Sequence, residues 1–193
     1  MVVTPSTMMP LGTPAPSFEL PDTVSGKTIR LRDLAAKKRL VVMFLCNHCP
    51  YVQHIRDGLV RFSMDYAAKD VVIVAISAND PTTHPDDGPE KLGSEAERLG
   101  YRFPVLFDES QEVAKAYRAA CTPDFFVFDE NRLLVYRGQF DSSRPGTAVP
   151  VTGADLRAAI DALLAGKLVS QQQKPSLGCN IKWRPGNEPD YFG

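Results

Sequence analysis

Six consecutive apolar residues, Leu40 to Leu45, follow the basic run Lys37-Lys38-Arg39 and end at Cys46-Asn47-His48. A run this short, partly β-branched and unbroken by polar positions predicts a strand buried on both faces. Immediately downstream, Val52, Ile55, Leu59, Phe62 and Tyr66 recur at spacings of three and four, which predicts a helix over 50–69 with one buried stripe. Val71 to Ile76 reads as a second buried strand, the stretch 90–99 as a helix, Phe103 to Asp108 as a short strand, and 111–118 as a short helix carrying Val113, Ala114 and Tyr117. Phe125 to Phe128 and Leu133 to Arg137, joined by a turn at Asp129 to Asn131, read as an antiparallel pair. Thr152 to Lys167 is a last helix, with Thr152 as its N-cap and Leu156, Ile160, Leu163 and Leu164 inward. Ahead of all these, Ser17 to Leu20 and Lys27 to Leu31 alternate apolar and polar about Asp22 to Gly26, the pattern of a small hairpin. Strands alternating with helices and closing on an antiparallel pair define an α/β chain with a mixed sheet covered on both faces.

With 193 residues, 44% hydrophobic content and a net charge of −1, the chain fits one globular domain over 17–167. A proline-rich extension, 1–16, precedes it, and a tail, 168–193, follows. The tail carries Trp183, Tyr191 and Phe192 and is expected to pack back on the domain. The charge balance gives no footing for nucleic acid, and no apolar run approaches the ~20 residues that span a bilayer. Residues 1–17 hold four prolines and lack the basic-then-apolar pattern of a signal peptide, so a cytoplasmic protein is expected. Structural disulfides are rare there, and four cysteines point to catalysis or sensing.

The chemistry concentrates where the first buried strand meets its helix, at Cys46-Asn47-His48-Cys49-Pro50. Proline is favoured at the first helical position, which makes Cys49 the N-cap. A sulfur there lies among unpaired first-turn N–H groups at the positive end of the helix dipole, and such thiols have pKa values of roughly 3.5–7.5. Cys49 is therefore the expected nucleophile and Cys46 the resolving thiol, with no cofactor beyond the cysteines. Two close cysteines also suit Cu(I) or zinc, with His48 as a third ligand, although no second C-x-x-C occurs. His48, beside Cys49, is placed either to stabilise its thiolate and carry its proton or simply to sit in solvent. His54 reads as surface. His84, Asp86 and Asp87 read as solvated loop residues, with cation ligation the alternative. Cys121 and Cys179 are each either a third redox thiol or buried filler.

The element order, with C-x-x-C at the first strand–helix junction and Thr122-Pro123 before the hairpin, resembles the thioredoxin fold over about residues 17–167. Cys46-Asn47-His48-Cys49-Pro50-Tyr51-Val52, Cys121-Thr122-Pro123-Asp124-Phe125-Phe126 and Gly178-Cys179-Asn180-Ile181-Lys182-Trp183 are similar to a bacterial group of thioredoxin-domain proteins, related to AhpC/TSA and described as peroxiredoxin-like. The resemblance implies a thiol–disulfide oxidoreductase. Its substrate would be a disulfide-bearing protein or small thiol, and an upstream thiol would reduce it. It also implies a cis Pro123 facing the cysteines, with the Thr122 backbone holding a substrate chain. A thiol peroxidase with Cys49 peroxidatic is the alternative. Against the peroxiredoxin pattern, Cys46 stands where Thr is expected and Val42 where Pro is, and no Arg lies near Pro123.

Overall fold

A computed structural model describes residues 3–192. In chain order the elements are β1 (Val3–Pro5), β2 (Glu19–Pro21), β3 (Thr28–Arg30), β4 (Arg39–Phe44), α1 (Pro50–Tyr66), β5 (Val71–Ser77), α2 (Pro89–Leu99), β6 (Val105–Phe107) and α3 (Glu112–Ala116). They continue with β7 (Cys121–Thr122), β8 (Asp124–Phe128), β9 (Leu134–Gly138), α4 (Ala154–Leu164) and β10 (Leu177–Asn180).

The central sheet has the order β6-β5-β4-β8-β9. β4 is parallel to β5 and antiparallel to β8, with Val42 opposite both Val74 and Phe126. Period-two geometry then divides each central strand between two cores. Val41 and Met43 of β4, Ile73 and Ala75 of β5, and Phe125 and Val127 of β8 join the layer beneath α1, α2 and α4. Leu40, Val42, Phe44, Val74, Ile76, Phe126 and Phe128 face the other layer, closed by α3, Tyr117, Phe18 and Leu20 of the hairpin segment, and Ile181 and Trp183 of the C-terminal segment. Leu40 through Phe44 are fully buried, so the unbroken apolar run is a strand with a core on each side.

The hairpin is present as the antiparallel pair β2 and β3. α1 stops at Tyr66, three residues short of the sequence expectation, once its stripe Val52, Ile55, Leu59, Phe62 and Tyr66 is buried. At α4 the N-cap is Gly153, not Thr152: its φ of 70° brings the chain in left-handed, a conformation glycine adopts without strain. Leu163 and Leu164 are only partly buried there.

The segments flanking the central sheet meet each other. β10 pairs antiparallel with β1 on one side and with β7 on the other, which gives the second sheet, β1-β10-β7. β7 leads straight through Pro123 into β8, so this small sheet sits against the end of β4 from which the cysteines emerge.

Candidate active site

Cys46 follows the C-terminal end of β4 and Cys49 caps α1 with Pro50 at the first helical position. The four cysteines are thiols, all buried. Cys46, Cys49 and Cys179 lie in one apolar cluster. The Thr122-Pro123 peptide is cis. Thr122 touches both members of the C-x-x-C pair: its Oγ1 is 3.1 Å from Cys46 Sγ, and its carbonyl oxygen is 3.2 Å from Cys49 Sγ.

Cys49 is held well below the usual thiol range. The Cys179 thiol and then the Cys46 thiol donate toward it, and together with the Val52 and Cys179 N–H groups they outweigh its burial. The Val52 N–H belongs to the first turn of α1, as N-cap geometry requires. Cys46 is pushed the other way by burial, by its own donation to Cys49 and by the negative charge of Asp87. The two sulfurs are thus pushed in opposite directions, Cys49 toward thiolate and Cys46 toward thiol.

Asp87 is the residue the sequence reading misplaced. It lies in the Pro- and Asp-rich loop expected to be solvated, yet it is 0% exposed. One oxygen accepts the backbone N–H groups of Asn47 (2.7 Å) and His48 (3.2 Å). The other is paired with the His48 ring Nδ1 and accepts from Asn79 Nδ2 at 2.8 Å. Burial alone would raise its carboxyl, but these donors hold it below the ordinary value. Asp86, its neighbour, is exposed and pairs with Lys91. Nothing in Asp86-Asp87-Gly88 separates the two residues locally. Only the long-range contact with the C-x-x-C loop does.

His48 is half-buried. Its ring turns to Asp87 and lies 4.5 Å, centroid to centroid, from His84. A ring nitrogen, an Asp87 oxygen and Cys46 Sγ fall within 4.8 Å of one another. The imidazole thus serves the Cys46 side of the pair. This trio is a grouping with metal-ligand character, but every oxygen of Asp87 already accepts protein hydrogen bonds. His54, half-buried, pairs with Ser143 Oγ at 2.7 Å. Cys121 donates to the Pro123 carbonyl at 3.7 Å, and burial pushes its thiol up.

The edge that the resemblance assigns to substrate is occupied. β10 lies along β7 with Cys179 opposite Thr122 and Asn180 opposite Cys121, and the Ile181 N–H donates to Ala120 O at 3.0 Å. Asp124, the first residue after the cis peptide, is completely buried; Oδ1 accepts from Ser6 Oγ at 2.8 Å and from its neighbour Phe125 N–H, while Oδ2 has no hydrogen-bond partner among the described residues. Burial pushes its carboxyl up to about 7.

A mixed sheet with a cysteine pair at the first strand–helix junction and a cis-proline loop beside it defines a thioredoxin-fold dithiol protein. The family model described as AhpC/TSA matches residues 11–137, and the chain belongs to that family. The chain is similar to the thiol-disulfide oxidoreductase ResA of Geobacillus thermodenitrificans, at 28% identity over 128 residues, 66% of this chain and 68% of that protein. An uncharacterized conserved protein from Geobacillus kaustophilus, known from a crystal structure, superposes with a TM-score of 0.94 at 53% identity, covering 96% of this chain and 98% of that one. The thioredoxin domain of a thiol-disulfide oxidoreductase from Bacteroides vulgatus shares the fold, with a TM-score of 0.57 at 18% identity over 70% of this chain and 90% of that one.

Proposed function

We propose that the protein is a thiol–disulfide oxidoreductase in which Cys49 attacks and Cys46 resolves. The observation that carries this reading is the asymmetry of the pair: Cys49 at the helix N-cap is favoured as thiolate, while Cys46, beside Asp87, keeps its proton. The Cys49 thiolate attacks one sulfur of a substrate disulfide, forms a mixed disulfide and expels the other sulfur as a thiolate. The His48 ring, oriented by Asp87, then takes the Cys46 proton. Cys46 attacks Cys49 Sγ, releases the second substrate sulfur and leaves a Cys46–Cys49 disulfide, which an upstream thiol reduces. Two electrons pass to the substrate in each turnover. The relatives named thiol-disulfide oxidoreductase support the activity, and the substrate follows as a disulfide of a protein or small thiol.

The test is a redox titration against a defined glutathione couple, with alkylation and mass spectrometry as the readout. A two-electron transition confined to Cys46 and Cys49 is expected. Both thiols remaining reduced at the oxidising end would overturn the reading. For such a couple, ~30 mV in midpoint corresponds to a tenfold change in the exchange equilibrium, so the same curve gives the direction of exchange in the cell. The cytoplasm is the proposed compartment, and fractionation that found the protein outside it would overturn that part.

Membership of the AhpC/TSA family favours a second reading, a thiol peroxidase in which Cys49 becomes a sulfenic acid and Cys46 resolves it. Peroxide consumption far above that of a simple thiol would establish it. Consumption no faster than a simple thiol's would dismiss it.

A further inference from the structure

Cys49 has a second thiol beside it, and that thiol arrives on a strand. Residues directly opposite in an antiparallel pair project their side chains to the same face. Cys179 is opposite Thr122, whose hydroxyl is in contact with Cys46 Sγ and whose carbonyl oxygen lies 3.2 Å from Cys49 Sγ. The pairing therefore aims Cys179 Sγ at the C-x-x-C pair. The approach is close: a Cβ added at Gly178 would lie 2.0 Å from Thr122 O, so only glycine allows β10 this near. The strand is fixed on both sides of the cysteine. Ser176 Oγ donates to Pro123 O at 2.6 Å, Ile181 N–H to Ala120 O at 3.0 Å and Lys182 N–H to Asn79 Oδ1 at 2.8 Å. β10 thus lies where an extended substrate chain would pair with Thr122, and it brings a thiol to the place a substrate sulfur would take.

We infer that Cys179 is an additional resolving thiol, so that a mixed disulfide on Cys49 is discharged through a Cys49–Cys179 disulfide as well as through Cys46. This rests on the reading of Cys49 as nucleophile. Once Cys49 is bonded to a substrate sulfur, the Cys179 sulfur attacks Cys49 Sγ. The Cys49–substrate bond breaks, the substrate leaves as a thiol carrying the proton that Cys179 gives up, and two protein thiols have been oxidised for one disulfide reduced. Charge favours this route after the first step. What holds the Cys179 proton most strongly is its contact with the Cys49 thiolate, which disappears when Cys49 is oxidised, while the Lys182 ammonium continues to favour the Cys179 thiolate. Lys182 Nζ is kept beside β10 by Asn180 O and Oδ1, at 2.8 and 2.7 Å. Burial persists for both thiols, and Cys46 keeps the Asp87 charge in addition.

The experiment uses one equivalent of 5,5′-dithiobis(2-nitrobenzoate) on the folded full chain, with the released thionitrobenzoate counted by absorbance and the disulfides mapped by non-reducing peptide mass spectrometry. The Cys46→Ala variant is expected to release two thionitrobenzoates per chain and yield a Cys49–Cys179 peptide. The Cys46→Ala/Cys179→Ala variant is expected to release one and to retain the aryl group on Cys49. If Cys46→Ala alone also stops at one, with the aryl group kept, the inference is overturned. Should Cys46→Ala fail to fold by circular dichroism, the wild-type digest decides: a Cys49–Cys179 peptide beside Cys46–Cys49 supports the route, and its absence overturns it. A wild-type protein that released no thionitrobenzoate at all would overturn the dithiol reading itself, and this route with it.

Discussion

Asn79 holds Asp87 with one end of its amide and the C-terminal segment with the other: Nδ2 donates to Asp87 Oδ2 at 2.8 Å, and Oδ1 accepts the Lys182 N–H at 2.8 Å. One side chain therefore ties the loop that orients Cys46 to the strand that carries Cys179. Asn79→Ala leaves the part-buried Lys182 N–H and part of the buried Asp87 unpaired, at up to about 1–3 kcal/mol for each such group. The expected result is a lower thermal midpoint together with faster alkylation of Cys49. Unchanged alkylation would mean that the tie does not reach the site.

Asp87→Asn removes the charge that adds to burial and the Cys49 contact in keeping Cys46 protonated, and it weakens the two backbone hydrogen bonds at Asn47 and His48. Breaking a buried charged network of this kind costs about 3–5 kcal/mol. The native carboxyl lies below its ordinary value, so its stabilisation is present above the unfolded pKa and is lost as pH falls through the native one. In denaturant titrations the gap between wild type and variant should be widest near neutrality and narrow below about pH 4. A gap independent of pH would contradict the assignment.

Because Cys49 is held as a thiolate, the ultraviolet thiolate absorbance of wild type minus Cys49→Ser should be flat from about pH 8 down to about pH 5. Measuring the difference spectrum avoids any need for a reagent to reach a buried sulfur. A difference that titrates away near pH 8.5, the ordinary thiol value of about 8.5, would show that the donors around Cys49 do not act as described.

Asp124 works in the opposite sense to Asp87. Its native carboxyl is raised to about 7, so the folded state holds a proton that the unfolded chain has released. That stabilisation is complete below the unfolded value of about 3.9 and is lost as pH rises through about 7. Asp124→Asn, which keeps the shape and stays neutral, should flatten the decline in stability between those limits, a change on the order of a few kcal/mol by pH 7. Chemical denaturation at pH 5 and pH 8 checks it: a variant with the wild-type slope would rule out Asp124 as the source.

Gly178→Ala should push β10 off Thr122. Forced overpacking costs about 1–3 kcal/mol, roughly 2–12 °C in thermal midpoint for a chain this size. Cys49 should also become more accessible to iodoacetamide. A midpoint shift without added reactivity would separate the packing role of the strand from its cover of the thiolate.

The central sheet could be read from the sequence because burial on both faces leaves a local mark: Leu40 to Leu45 and Val71 to Ile76 are apolar at every position, and the helix stripes repeat at three and four. Cys49 was legible for the same reason, since an N-cap is defined by its next neighbours and Pro50 announces it. Asp87 was not. A buried carboxylate in a polar loop has no local signature when its partners, Asn47 and His48, lie about forty residues away. Thr152 failed as the cap of α4 because capping preference is a weak bias that the left-handed entry at Gly153 overrides. The contact between Cys179 and Cys49 depends on a strand pairing across 57 residues, from Thr122 to Cys179, which periodicity cannot register.

The pairing of β10 with β7 also gives the site a history within each molecule. Cys179 is made 130 residues after Cys49. At about 5–20 residues per second of synthesis, the thiolate position exists for roughly 6–26 s before its covering strand has been polymerised. Thr122 is made 57 residues before Cys179, so for the last roughly 3–11 s of that interval its edge is open on a newborn chain, and Cys49, still without Cys179, is exposed to any oxidant in its surroundings. The mature protein meets disulfides with Cys49 shielded beneath β10, whereas the nascent one meets them bare.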